Sequence, residues 1–274
     1  MVRWNGNGLD REKANAEQRG GYAMVHFIGA GCGAADLITV RGAKLLSEAD
    51  VIIYAGSLVN PALLEYAKAG CEIHDSAGMT LEEVLSVIER AEAAGRTTAR
   101  LHTGDPSLYG AVGEQFRALQ ARGIEYDICP GVSAFSGAAA ALRCEYTLPE
   151  ACQTLIITRA GGRTPVPEKE RLRGLAAHRA SMALYLSAGL AGEVQAELLA
   201  GGCPEETPAA VVYKATWPEE RVVRCTVGTL AQAVAGSGIT RTALIVVGDF
   251  LDGCPARSKL YDPHFSTGYR EAQP

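Results

Sequence analysis

Three glycine-rich turns, each set between a short apolar run and a helix-like run, limit what this chain can fold into. They are Gly29-Ala30-Gly31-Cys32-Gly33, Thr103-Gly104-Asp105-Pro106 and Pro130-Gly131-Val132-Ser133-Ala134. A repeated strand–turn–helix unit predicts a parallel sheet. In an open parallel sheet the turns at the carboxyl ends of the strands share one rim, and ligands bind there. The three turns therefore predict one pocket built from three pieces of chain.

The runs between the turns fit that reading. Apolar segments 25–28, 51–54, 97–101 and 124–129 read as strands, and 72–75 as a weaker one. Helical spacing covers 37–46, and Pro61 can open a helix at its first position. Thr80 with Glu83 three residues on forms a capping box, and Leu81, Val84, Leu85 and Ile88 make the apolar face behind it. Residues 107–122 read as one helix that ends at Gly123.

The pattern breaks near Arg143. The second half offers strands at 153–159, 181–186, 209–214, 221–226 and 243–247, with helices at 168–178, 192–199 and 229–234. A tight Trp217-Pro218 turn between two of these strands predicts a hairpin, hence a mixed sheet. The expected organisation is a domain over 24–145, a second over 146–252, and an irregular tail over 253–274. Residues 1–23 are polar and glycine-rich and are read as a disordered extension, with Met24 as a candidate native start.

Composition narrows the function classes. The chain has 274 residues, 47% hydrophobic, with 31 glycines and only 6% aromatics, a balance that suits an α/β protein with many tight turns. A formal net charge of −5 argues against a nucleic-acid partner. The apolar stretch 131–142 is too short to span a bilayer. The eight cysteines contain no C-x-x-C pair, which argues against zinc and for reduced thiols in a cytoplasmic protein.

Each candidate site residue carries two readings. Gly29-Ala30-Gly31-Cys32-Gly33-Ala34 fits the G-x-G-x-x-A dinucleotide fingerprint, which calls for an acidic residue about 20 positions on, at the end of the second strand. Asp50 has the spacing but begins its strand, at the wrong rim, so a nicotinamide dehydrogenase is disfavoured. No P-loop sequence is present. Asp105 either meets a ligand or closes an Asx-type turn on its own backbone. Ser133 either helps hold a ligand or only caps a helix. His102 is an acid/base candidate or a structural strand residue. Arg159, Arg163 and Lys214 end or follow strands, and either meet an acidic ligand or form solvated surface.

Taken together, the turns resemble the tetrapyrrole methylases, the S-adenosylmethionine-dependent family that modifies uroporphyrinogen and precorrins. The resemblance runs from about Val25 to Asp252. It rests on the segment from Val25 through Gly29-Ala30-Gly31-Cys32-Gly33 to Thr39, on Thr103-Gly104-Asp105-Pro106, and on Pro130-Gly131-Val132-Ser133-Ala134. Further stretches are similar to one branch of the family: Tyr54-Ala55-Gly56-Ser57-Leu58-Val59, Thr147-Leu148-Pro149-Glu150, Arg163-Thr164-Pro165-Val166-Pro167-Glu168 and Ser258-Lys259-Leu260-Tyr261-Asp262. Cys32 departs from the family, which usually has proline there.

The resemblance implies two α/β domains with a cleft between them, usually in a homodimer. It implies S-adenosylmethionine as cofactor, S-adenosylhomocysteine as its product, and a tetrapyrrole substrate. Carried over by motif, the cofactor contacts are Cys32, Thr103, Gly104, Asp105, Leu108, Ser133, Ala134, Leu186, Lys214, Ala215 and Thr242. Arg159 and Arg163 are the expected substrate contacts, with Lys214 beside them. No catalytic residue and no metal ligand is assigned. Two alternatives stay open: a family member acting on a different precorrin carbon, and a non-catalytic tetrapyrrole-binding protein.

Overall fold

The computed structural model describes residues 23–253, 256 and 258–273. Residues 1–22, read above as an extension, lie outside the described residues, as do 254, 255, 257 and 274 of the tail. The chain forms two compact units, Met1–Gly31 with Ala35–Ser133, and Cys32–Ala34 with Ala134–Pro274.

The first unit is built on strands β1 (Val25–Gly29), β2 (Val51–Tyr54), β3 (Glu72–Asp75), β4 (Thr98–His102) and β5 (Tyr126–Cys129). They form one sheet in the order β3-β2-β4-β1-β5, and every neighbouring pair is parallel. This order matters for the site. The glycine turns follow β1, β4 and β5, and these are three adjacent strands. Because all run the same way, the turns fall side by side on one rim.

Alternation along the strands supplies two cores, one per face. Val25, Phe27 and Ile53 pack against Val84, Ile88 and Leu119. Ile28, Ile52, Ala99 and Leu101 pack against Leu46 and Leu63. Helix α1 is Val40–Glu48, and its cap is Thr39, whose hydroxyl accepts from the Gly42 amide at 3.0 Å. The helix expected from residue 37 thus begins later, after a short 3-10 turn at Ala35–Leu37. The Pro61 segment is also a 3-10 helix, Pro61–Tyr66. Helix α2, Leu81–Ala93, starts with the expected capping box between Thr80 and Glu83. Helix α3 spans only Val112–Ala121, not 107–122. Residues 107–111 instead form a turn in which Tyr109 (φ 57°) and Ala111 (φ 49°) are left-handed, a backbone that cannot continue a right-handed helix.

Helix α4, Ala134–Leu142, opens the second unit. The unit boundary falls at Ser133/Ala134, earlier than the break expected near Arg143. The reason is packing: Ala138 and Leu142 join Ala183, Ala210, Val246 and Phe250 in one core. Strands β6 (Leu155–Arg159), β7 (Ser181–Tyr185), β8 (Pro208–Tyr213), β9 (Arg221–Thr226) and β10 (Ala243–Val247) form a mixed sheet, β6-β7-β10-β8-β9. Only β6 and β7 pair in parallel. The expected hairpin is β8–β9, closed by seven residues, 214–220, rather than by a tight turn. Helices α5 (Leu172–Ala176), α6 (Ala191–Ala200) and α7 (Leu230–Ser237) cover one face through Leu172, Val194, Leu198 and Leu230. The helix expected over 168–178 is reduced to α5 and a preceding 3-10 turn. In the tail, the Arg270 guanidinium ties down the chain by bonding the carbonyls of Leu260, Asp262 and Phe265.

Candidate functional site

The rim of the first sheet brings the three turns into contact. Gly31 and Gly104 form a two-way backbone bridge, with N···O distances of 3.2 and 2.9 Å. The Ala30 amide donates to the His102 carbonyl at 2.8 Å. Gly131 completes the cluster, and glycine is required there: a Cβ would lie 2.1 Å from the Gly104 oxygen and 2.6 Å from the Gly29 Cα. A Cβ on Gly29 would lie 2.5 Å from the Gly131 Cα. Three backbones meet where no side chain fits, which requires glycine at 29 and 131.

Asp105 holds two of these turns together. One carboxylate oxygen accepts from the Gly131 amide at 2.8 Å; the other accepts from the Ser107 amide at 2.9 Å and from the Ser107 hydroxyl. Burial opposes its charge, but these three hydrogen bonds outweigh burial and hold its pKa below the ordinary carboxylate value. Both readings of Asp105 must therefore be weighed against a third role, the staple between two turns. Leu108 sits in the same loop, its amide donating to the Asp105 carbonyl at 3.2 Å.

Thr103 carries the clearest mark of a ligand in this unit. Its hydroxyl oxygen is buried and has no hydrogen-bond partner. A buried polar atom left so costs stability unless something bound completes it. Its neighbour His102 is buried and stacks on Phe27, with ring centroids 5.7 Å apart. Burial, helped by the nearby Arg100 charge, pushes the His102 pKa down to about 3. A ring this reluctant to take a proton is a poor general base at neutral pH.

In the second unit the remaining candidates share one rim as well. β8 runs parallel to β7, and β10 runs against both, so the ends of β6, β7 and β8 lie level with the starts of β9 and β10. Arg159, Leu186, Lys214 and Thr242 all occupy this rim. Leu186 (φ 54°), Lys214 (φ 47°) and Thr242 (φ 54°) are each left-handed, and the Lys214 amide donates to the Thr242 carbonyl at 2.9 Å. Strain of this kind in non-glycine residues gathers at functional sites. Leu186 is nonetheless 70% exposed, an unusual state for leucine, whereas Ala215 is buried.

Lys214 lies 5.0 Å from the Trp217 ring centroid and 3.4 Å from a Glu219 carboxylate oxygen. The Thr216 hydroxyl accepts from the Ala34 amide at 2.9 Å and sits 3.6 Å from the Cys32 sulfur. Burial raises the Cys32 pKa, so this thiol is not an activated nucleophile. After Ala134, the backbone of Phe135 is held on both sides: its amide donates to the Tyr185 hydroxyl at 2.9 Å, and its carbonyl accepts from the Tyr146 hydroxyl at 2.8 Å. Thr216, Tyr146 and Tyr185 carry no motif, and sequence reasoning missed them because their partners are distant backbone groups.

The two expected substrate contacts differ. The Arg159 guanidinium donates to the carbonyls of Ala160, Thr164 and Pro165 at 3.2, 3.0 and 2.9 Å. It thereby shapes the loop that carries Arg163, which is exposed.

The family profile described as Tetrapyrrole (Corrin/Porphyrin) Methylases matches residues 24–231. The chain belongs to the tetrapyrrole methylases. Its similarity to individual methylases is close. It is 52% identical over 249 residues to a cobalt-precorrin-4 C(11)-methyltransferase of Methanocaldococcus jannaschii, covering 90% of this chain and 96% of that protein. It is 48% identical to a precorrin-4 C(11)-methyltransferase of Pseudomonas aeruginosa, covering 91% and 99%. Among solved structures, a cobalt-precorrin-4 methyltransferase of cobalamin biosynthesis superposes with a TM-score of 0.82 at 47% identity, covering 84% of this chain and 96% of that one. A uroporphyrin-III C-methyltransferase from Thermus thermophilus, complexed with S-adenosylhomocysteine, superposes with a TM-score of 0.72 at 25% identity, covering 84% and 99%.

Proposed function

We propose that this tetrapyrrole methylase transfers a methyl group from S-adenosylmethionine to carbon 11 of precorrin-4 or its cobalt form, within cobalamin biosynthesis. The observation that carries this reading is 52% identity, over 90% of the chain, to a protein of that named activity. The stretches at 54–59, 147–150 and 163–168, which are similar to that branch of the family, support it.

The residues present fit the donor. The Thr103 hydroxyl is a buried polar atom without a partner, and the Gly29–Gly104–Gly131 contact holds its loop against the two other turns of the rim. We assign Cys32, Thr103, Gly104, Asp105, Leu108, Ser133, Ala134, Leu186, Lys214, Ala215 and Thr242 to the donor, as the family resemblance implies. When bound, S-adenosylmethionine supplies an electrophilic methyl group on a sulfonium.

The ring carbon of a reduced tetrapyrrole is enamine-like and nucleophilic as it stands. The chain's residues therefore need only orient the reactants, and orientation alone is a large source of rate. Asp105 keeps the Thr103–Gly104 and Gly131 turns in one arrangement before any ligand arrives. Arg163 presents a charge-assisted donor to the substrate's carboxylates. His102, held neutral, is left out of proton transfer. We place the protein in the cytoplasm, in keeping with its free described cysteines, and expect a homodimer from the family resemblance. Sedimentation analysis tests the dimer.

The deciding experiment is turnover of precorrin-4 with methyl-carbon-13 S-adenosylmethionine, read by carbon-13 NMR of the product. Label at carbon 11 supports the proposal. Label at another ring carbon, or none, overturns it.

A further inference from the structure

A buried polar network of Arg100 and Gln115 lies against the loop that carries Asp105 and Leu108. Arg100 stands in the middle of β4, 7% exposed, and burial lowers its pKa to about 10. Its guanidinium hydrogen-bonds two neutral oxygens, the Ile53 carbonyl at 3.2 Å and the Gln115 side-chain oxygen at 3.3 Å. Gln115, 6% exposed, uses its amide nitrogen to bond the Ala111 carbonyl at 3.2 Å. Two residues along β4, the buried His102 leaves its Nε2 without a hydrogen-bond partner.

Stability does not explain this arrangement. A buried cation is costly to desolvate, and an apolar residue of similar size would be cheaper. What the network does contact is strained chain. Tyr109 and Ala111 are both left-handed, and a Cβ on the Gly110 between them would lie 2.3 Å from the Pro106 carbonyl oxygen. Ala111 is also the N-cap of α3 and has no side-chain cap of its own. Strain at such positions persists only where the surroundings over-determine it. Here the determinant is Gln115, whose side-chain amide grips the Ala111 carbonyl.

We infer that Gln115, anchored by Arg100, is a positioning residue that latches the 105–111 loop in its strained form and so pre-shapes the donor site. The inference rests on the donor reading given above. The latch holds the loop whether or not ligand is bound, and it acts through the loop rather than by touching the donor. Gln115 carries both halves of the device: its oxygen engages Arg100 and its nitrogen engages Ala111.

Gln115→Glu separates latching from packing. The new carboxylate keeps and strengthens the Arg100 contact, while the donor to the Ala111 carbonyl is lost. Three quantities are measured on the full-length protein and the variant: thermal midpoint, hydrogen exchange of the 107–112 amides without ligand, and S-adenosylhomocysteine affinity by calorimetry. The expected result is an unchanged or raised midpoint, faster exchange confined to 107–112, and affinity lowered about tenfold, the scale of one released strained residue. Unchanged exchange overturns the latch whatever the ligand does. Faster exchange with unchanged affinity overturns the positioning role. An unaltered protein that does not bind S-adenosylhomocysteine overturns the donor reading and the positioning role together, while the exchange data still report on the latch. If Gln115→Glu does not fold, Gln115→Met, which removes both contacts at similar volume, is judged by the same exchange and affinity outcomes.

Discussion

The Asp105 carboxylate accepts a hydrogen bond from the Gly131 amide at 2.8 Å, across 26 positions of sequence. The contact joins the turn after β4 to the turn after β5, with β1 between them. Asp105→Ala removes it together with both Ser107 contacts, leaving the half-buried Gly131 amide unpaired. It is expected to cost about 1–3 kcal/mol of stability and to abolish detectable S-adenosylhomocysteine binding. Asp105→Asn keeps acceptor capacity and is expected to fall between. Because the folded-state pKa is depressed, the contribution is complete above the ordinary carboxylate pKa and is lost as pH falls through the lower folded value. Calorimetric titration and acid unfolding measure both effects. Unchanged affinity in Asp105→Ala reduces the residue to a turn former.

The meeting of the three turns on one rim is legible in the sequence because glycine and carboxylate turns at strand ends leave local marks. The capping box of Thr80 and Glu83, the all-parallel first half and the mixed second half were legible for the same reason. Strand order was not: β10 lies between β7 and β8, and only long-range pairing puts it there. The start of α3 was misread because 107–111 has helical composition, whereas its backbone is left-handed at Tyr109 and Ala111. The strain common to Leu186, Lys214 and Thr242 is likewise a property of the folded rim.

Gly131→Ala tests the Gly29–Gly104–Gly131 contact itself. Its Cβ would meet backbone on two sides, the Gly104 oxygen at 2.1 Å and the Gly29 Cα at 2.6 Å. No rotamer relieves a clash with backbone. A loss of at least about 3 kcal/mol, or failure to accumulate folded protein, is expected. Chemical denaturation measures it, and a stability within error of the unaltered protein would show that the three turns are looser than described.

Thr103→Val separates fitness for ligand from fitness for folding. The hydroxyl oxygen is buried without a partner, so exchanging it for a methyl group removes an unmet polar group. Stability is expected to hold or rise by up to about 1 kcal/mol, while S-adenosylhomocysteine affinity falls. Loss of stability with unchanged affinity would mean that the hydroxyl has a partner within the protein.

His102 gives the protein an acid-sensitive stability. Burial, then the Arg100 charge, lowers its folded pKa to about 3, below the ordinary value of a free histidine. The unfolded chain therefore binds a proton that the folded chain refuses. The contribution of the neutral ring is complete above the unfolded pKa and declines as pH falls towards the folded one. The slope from this residue approaches about 1.4 kcal/mol per pH unit between those limits. His102→Leu is expected to flatten stability against pH between about 6 and 4. Equal slopes in urea titrations of both proteins would place the acid sensitivity elsewhere.

Arg159 and Arg163 are expected to fail in different ways. Arg159 spans three carbonyls, those of Ala160, Thr164 and Pro165, and so fixes the loop on which Arg163 stands. Lysine has a point charge and no planar fork, so Arg159→Lys keeps the charge but not the loop. Arg163 is exposed, and its proposed task is charge towards substrate carboxylates, which lysine partly serves. Arg163→Ala is therefore expected to raise KM for the tetrapyrrole about tenfold and Arg163→Lys by less, with S-adenosylhomocysteine affinity unchanged in both. Arg159→Lys is expected to behave like Arg163→Ala. Steady-state kinetics with calorimetry on the same preparations decide it. If Arg159→Lys matches the unaltered protein, Arg159 acts as a charge rather than a brace; if Arg163→Ala weakens S-adenosylhomocysteine binding, its role is not confined to the substrate.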